Sequence, residues 1–160
     1  MAPGHATPAG APAANVTAKL PVGRTVVPVS YAMDKKARLI RTSCYGDVTL
    51  SEVLGHFQAL KDDPARPEYL DVLLDLSEMT SSPTADQIRS ASDGLKGLQG
   101  LLTFRYCAIV ASRDVIFGMA RMWSVFVEPL FTEVAVFRST VEAEVWLASQ
   151  QTAIRTRGAP

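Results

Sequence analysis

Few residues in this chain could do chemistry, and their spacing argues against most reactions. The histidines are His5 and His56, and the cysteines are Cys44 and Cys107. Zinc, haem and dithiol sites need such ligands in clusters, as in CxxC, and none of these four is spaced that way. A hydrolytic nucleophile needs a base within hydrogen-bond reach. His5 lies in a segment without hydrophobic periodicity, while His56, between Gly55 and Phe57, reads as a surface or boundary residue of an amphipathic helix. No GxSxG, no GxGxxG after a strand and no GxxxxGKS/T is present. Gly94, Gly97 and Gly100 are spaced as GxxGxxG but close a helical run, whereas phosphate loops open one. The carboxylate pairs Asp62–Asp63 and Glu142/Glu144 fall at helix ends, where they solvate the surface and complement the dipole. The expectation is a non-enzymatic protein with no catalytic residue, metal or cofactor.

The pattern that stands out is one over-apolar helix. At about 100° per residue, Val115, Ile116, Met119, Ala120, Met122, Trp123, Phe126 and Val127 cover an arc of roughly 160°, and a surface helix needs only about 100°. Phe117 and Val125 lie outside even that arc, and only Arg121, Ser124 and Glu128 mark a polar side. Either the helix is deeply buried, or Phe117, Met119, Met122, Trp123 and Phe126 face something besides their own sheet. A dimer mate, another protein or a small apolar ligand would suit its methionines and tryptophan. Arg121 has two readings: a surface ion pair with Asp114 or Glu128, or an anion clamp at the mouth of a pocket.

The elements that must position this helix follow from local signals. Val29–Met33 and Leu39–Tyr45 flank a polar Asp34-Lys35-Lys36 turn and predict an antiparallel hairpin. Thr49 and Glu52 form a capping box opening a helix with Leu50, Val53, Leu54, Phe57 and Leu60 on one face, ended by Pro64 and Pro67. Leu70–Leu76 is short and apolar, the mark of a central strand covered on both faces. Ser82-Pro83 predicts a cap and first turn for a second helix bearing Ile88, Ala91, Leu95, Leu98 and Leu102. Tyr106–Ala111 is a buried strand, the third helix runs from about Asp114 to Glu128, and Glu133–Phe137 is the last strand. Ser139 and Glu142 cap a fourth helix carrying Val145, Trp146, Leu147 and Ile154. The order ββαβαβαβα predicts an α/β domain, a mixed, mainly parallel five-stranded sheet with four helices.

Composition sets the outer limits. The 160 residues carry 16 basic and 16 acidic side chains and are 48% hydrophobic, the balance of one compact domain. Alanine, proline and glycine fill fifteen of the first 28 positions, so 1–28 is expected to be a disordered arm, 29–154 the domain and 155–160 a flexible tail. Residues 29–154 hold four more acids than bases, which gives nucleic acid no electrostatic footprint. No signal-peptide pattern and no apolar run long enough for a membrane span is apparent, and two unpaired cysteines suit the reducing cytoplasm.

The segments Tyr106-Cys-Ala-Ile-Val-Ala-Ser112, Phe117-Gly-Met-Ala-Arg-Met-Trp123 and Val136-Phe-Arg138, with Glu142-Ala143, Trp146-Leu147 and the Val72–Asp75 strand end, resemble the SpoIIAA-like branch of the STAS fold, the bacterial STAS/SEC14-type proteins. The similarity covers roughly residues 29–150. It implies a STAS-like module of bacterial signalling or scaffolding that works by protein contact or, through kinship of fold with CRAL-TRIO domains, by holding an apolar ligand. Anti-sigma-factor antagonists of this fold carry an adjacent Asp-Ser pair with the serine phosphorylated. Here the region reads Asp75-Leu-Ser-Glu-Met-Thr-Ser-Ser82 and lacks that pair. Ser77, Ser81 and Ser82 remain candidates for phosphorylation, since a phosphate near a helix N-terminus meets free N–H groups; otherwise they serve as cap and loop residues.

Two expectations therefore compete. The leading one is a contact module, a homodimer through the third helix that docks a protein partner. The alternative is a carrier or sensor of a small apolar molecule, such as a fatty acid, beside that helix. A contact module turns its surplus apolar residues outward as a patch of several hundred Å². A carrier turns them inward around a cavity of about 300 Å³ or more.

Overall fold

The computed structural model describes residues 27–158. The arm expected over residues 1–28 therefore lies outside the described residues except for Val27 and Pro28. Ten elements follow in order: β1 (Val29–Asp34), β2 (Leu39–Gly46), α1 (Leu50–Asp62), β3 (Tyr69–Met79), α2 (Ala85–Lys96), β4 (Thr103–Val110), α3 (Asp114–Val127), a single 3-10 turn (Glu128–Leu130), β5 (Glu133–Phe137) and α4 (Thr140–Arg157). The five strands form one sheet in the order β1-β2-β3-β4-β5, antiparallel between β1 and β2 and parallel elsewhere. This is the mixed α/β fold with order ββαβαβαβα that the sequence predicts.

Strand order fixes the layers. When parallel strands are laid side by side in chain order, right-handed crossovers put every connecting helix on the same face. Accordingly α1, α2 and α3 share one apolar cluster with Ile40, Cys44, Leu70, Cys107 and Ile109. The opposite face, through Leu39, Leu73, Tyr106, Ala108 and Val110, is covered by Ala143 and Leu147 of α4. Alternation along β2, β3 and β4 sends neighbouring residues to opposite layers, and β3 sits at the centre of the sheet.

Local chemistry sets most ends. Capping boxes open α1 at Thr49/Glu52 and α4 at Ser139/Glu142, both as expected. For α2 the expected cap at Ser82 with Pro83 in the first turn is corrected: Thr84 is the cap, reciprocated by Gln87, and the helix starts at Ala85. That helix is also shorter than its hydrophobic stripe, ending at Lys96, so Leu98 and Leu102 are buried from the following loop. A β-carbon on Gly94 would lie 2.5 Å from Leu54 Cδ2, so this glycine lets α1 and α2 approach closely. The third strand runs on to Met79, three residues beyond expectation, because Tyr45 and Gly46 of β2 pair with Glu78 and Met79 across a bulge. Helix α4 extends to Arg157, past the boundary set at 154, and its Val145 points to solvent.

One buried carboxylate ties α4 to the sheet. Asp71, fully buried in β3, receives two hydrogen bonds from Arg105 of β4, from Nε at 3.1 Å and Nη2 at 2.8 Å. Gln151 Nε2 of α4 donates to the same carboxylate at 2.8 Å. Such a carboxylate is tolerated only while its partners remain. We expect Arg105→Met, which strands a buried charge, to cost about 3 kcal/mol. Gln151→Ala, which removes one hydrogen bond, should cost about 1–2 kcal/mol. Urea unfolding midpoints at constant m-value measure both, and equal losses would contradict this ordering.

Candidate functional site

Between the sheet and the α1–α3 layer lies a half-open cavity of about 170 Å³. Its floor is the inward face of the sheet, with Ile40, Thr42 and Cys44 from β2, Val72 and Leu74 from β3, and Ile109 from β4. Its walls include Val53, His56 and Phe57 of α1, Ile88, Ala91 and Leu95 of α2, and Met119, Ala120 and Trp123 of α3. Ala91 and Ala120 leave room that longer side chains would fill. Among the described residues, no lysine, arginine, aspartate or glutamate lines the cavity. An apolar void of about 150 Å³ suffices to admit benzene, whereas the 300 Å³ or more expected of a fatty-acid carrier is not reached.

The surplus apolar residues of α3 divide three ways. Met119 and Trp123 turn into the cavity with Ile116 and Ala120. Phe117 and Phe126 are covered by arginines: Arg138 stacks 3.9 Å from the Phe117 centroid, and Arg89 lies 5.6 Å over Phe126. Val115 (57% exposed), Met122 (42%) and Val125 (67%) face outward. Arg121 is exposed and does not line the cavity. Asp114, one of its two expected partners, instead accepts from Arg138 at 2.8 Å.

The polar groups at the cavity are few. Thr49 Oγ1 and Gln87 serve the capping boxes of α1 and α2. Thr42, 4% exposed, has its hydroxyl 3.3 Å from His56 Nε2. The His56 ring is held between Tyr31 at 5.2 Å and Phe57 at 5.8 Å, and Tyr31 is itself fixed by donating to Asp63 at 2.8 Å. Asp63, expected to do no more than solvate a helix end, therefore braces this wall. Burial pushes the His56 imidazole down to about 4, so it is neutral near pH 7. Burial, then the nearby Asp75 carboxylate, pushes the Cys44 thiol up to about 12, which makes it an inert part of the floor.

The serine candidates separate. Ser77 lies inside β3, with its N–H donating to the Asp75 carboxylate. Ser81 is half-buried and its hydroxyl accepts from the Val48 N–H at 3.0 Å. Ser82 is exposed, two residues before the α2 cap. Sequence reasoning missed Thr42 and Asp71. The signal for Thr42 was a hydroxyl in the alternating set Ile40, Thr42, Cys44; for Asp71 it was a carboxylate inside an apolar run. Among the described residues, no three His, Cys, Asp or Glu side chains converge as a metal ion would require. No helix there is long and apolar enough to cross a membrane. The chain matches no protein-family model and no curated protein.

His56 gives the fold a defined pH response. Its imidazole takes up a proton near 6.5 when unfolded and near 4 when folded, so protonation favours the unfolded chain. Its contribution is constant above about pH 7, and stability falls as pH drops from 6.5 towards 4. The cost at pH 4.5 is on the order of 2–3 kcal/mol. Urea unfolding at pH 7 and 4.5 should show wild type losing more stability than His56→Gln, and parallel losses would refute the assignment.

Proposed function

We propose that this chain is a non-enzymatic binding module, and that its ligand is a small apolar molecule held between the sheet and α1–α3. The observation that carries this reading is the cavity itself, with Met119 and Trp123 of α3 turned into it rather than outward. Its volume favours a molecule of roughly benzene size over a long-chain fatty acid. The strand and helix order suits the STAS-like assignment, and two buried free cysteines suit a reducing cytoplasm.

A second reading, the homodimeric signalling or scaffolding module that docks a protein partner, draws support from the outward residues Val115, Met122 and Val125. Recurring at helical spacing on one side of α3, they are the apolar edge such a contact would use.

Two substitutions separate the readings. Ala91→Phe fills the cavity and should weaken binding of toluene at least tenfold, read from chemical shifts of Met119 and Trp123, with circular dichroism confirming the fold. Val125→Glu should leave toluene binding unchanged. Should wild type bind no toluene, while Val125→Glu converts a dimer to a monomer in sedimentation, the contact reading takes precedence.

A further inference from the structure

An apolar cavity can discriminate by size alone, but this one contains one polar pair, Thr42 and His56, that is bonded to itself and not spent on a helix cap. Thr42 could have been valine without changing the shape of the floor, yet it is buried on the same face as Ile40 and Cys44, opposite Leu74 of β3. A hydroxyl offers one donor and two acceptor positions. His56 Nε2 is its side-chain partner, at 3.3 Å, which is long for a hydrogen bond. The other two polar lining side chains, Thr49 and Gln87, are engaged in helix caps. The imidazole is held in place by Tyr31 and Phe57 rather than by a carboxylate.

Resting on the cavity reading above, we infer that the ligand is a neutral molecule of about six to eight non-hydrogen atoms with one hydroxyl-type group, seated against Thr42 and His56. A phenol or a short alcohol has this chemistry. The hydroxyl of such a ligand can donate to one member of the pair and accept from the other, while its hydrocarbon part lies against Ala91, Met119 and Trp123. A carboxylate or an ammonium of the same size meets no opposite charge in the lining, and burying it unpaired is strongly disfavoured.

The test is an NMR titration of the full chain at pH 7 with four probes of similar size, seven to nine non-hydrogen atoms each: toluene, phenol, benzoate and benzylammonium. Phenol should bind about fivefold more tightly than toluene, the value of one net hydrogen bond, and both ions at least tenfold more weakly than phenol. Thr42→Val should erase the preference for phenol over toluene, read as the ratio of the two affinities in the same variant. Benzoate or benzylammonium binding as well as phenol, or phenol no better than toluene in wild type, overturns the inference and leaves the cavity reading standing. Failure of toluene and phenol alike to bind wild type overturns both.

Discussion

Each parallel crossover in this chain advances the sheet by one strand in the same direction, and handedness then leaves the connecting helices no choice of face. Three helices must share one side, and α4 is left to cover the other. Three cylinders about 10 Å across, laid on a twisted sheet, do not close without large side chains between them. Where α1, α2 and α3 converge, the sequence supplies Ala91 and Ala120 on the helices and Thr42 on the sheet. The cavity follows from the topology together with these small residues.

The two faces handle polarity in opposite ways. On the α4 side, Asp71 is fully buried and surrounded by donors from Arg105 and Gln151. On the helix-rich side no formal charge reaches the cavity, and the one titratable ring is kept neutral by its surroundings. Tyr31 and Asp63, outside the cavity wall, hold that ring without placing a charge beside it. In a recess so largely apolar and free of formal charge, each polar contact counts for more than it would in water.

Much of the fold was legible from the sequence because its signals are local. The fifth strand, Glu133–Phe137, and the capping boxes at Thr49 and Ser139 were readable to the residue. The start of α2 was misread because Ser82-Pro83 looks like a cap, while Thr84 has the reciprocal partner, Gln87, that decides the matter. The end of β3 was hidden because it depends on pairing with β2, not on its own pattern. The site was less legible. Helical spacing marked Met119, Trp123, Phe117 and Phe126 as surplus alike, but not that the first two line a cavity while two arginines from elsewhere, Arg138 and Arg89, lie over the other two. A void is set by distances between helices, which no periodicity encodes.

The sequential strand order also governs how the chain assembles as it leaves the ribosome. Each new strand after β2 docks on the edge of the one just made, so the growing sheet needs only short-range closures. The exception is Asp71, whose donor from Gln151 arrives 80 residues later. Until α4 emerges, the face formed by Leu73, Tyr106, Ala108 and Val110 has no cover, and the Asp71 carboxylate near the start of β3 has only Arg105 and the Tyr106 N–H. A chain that folds in the order of its synthesis thus completes its cavity-bearing side first and carries an adhesive back until its final helix closes over it.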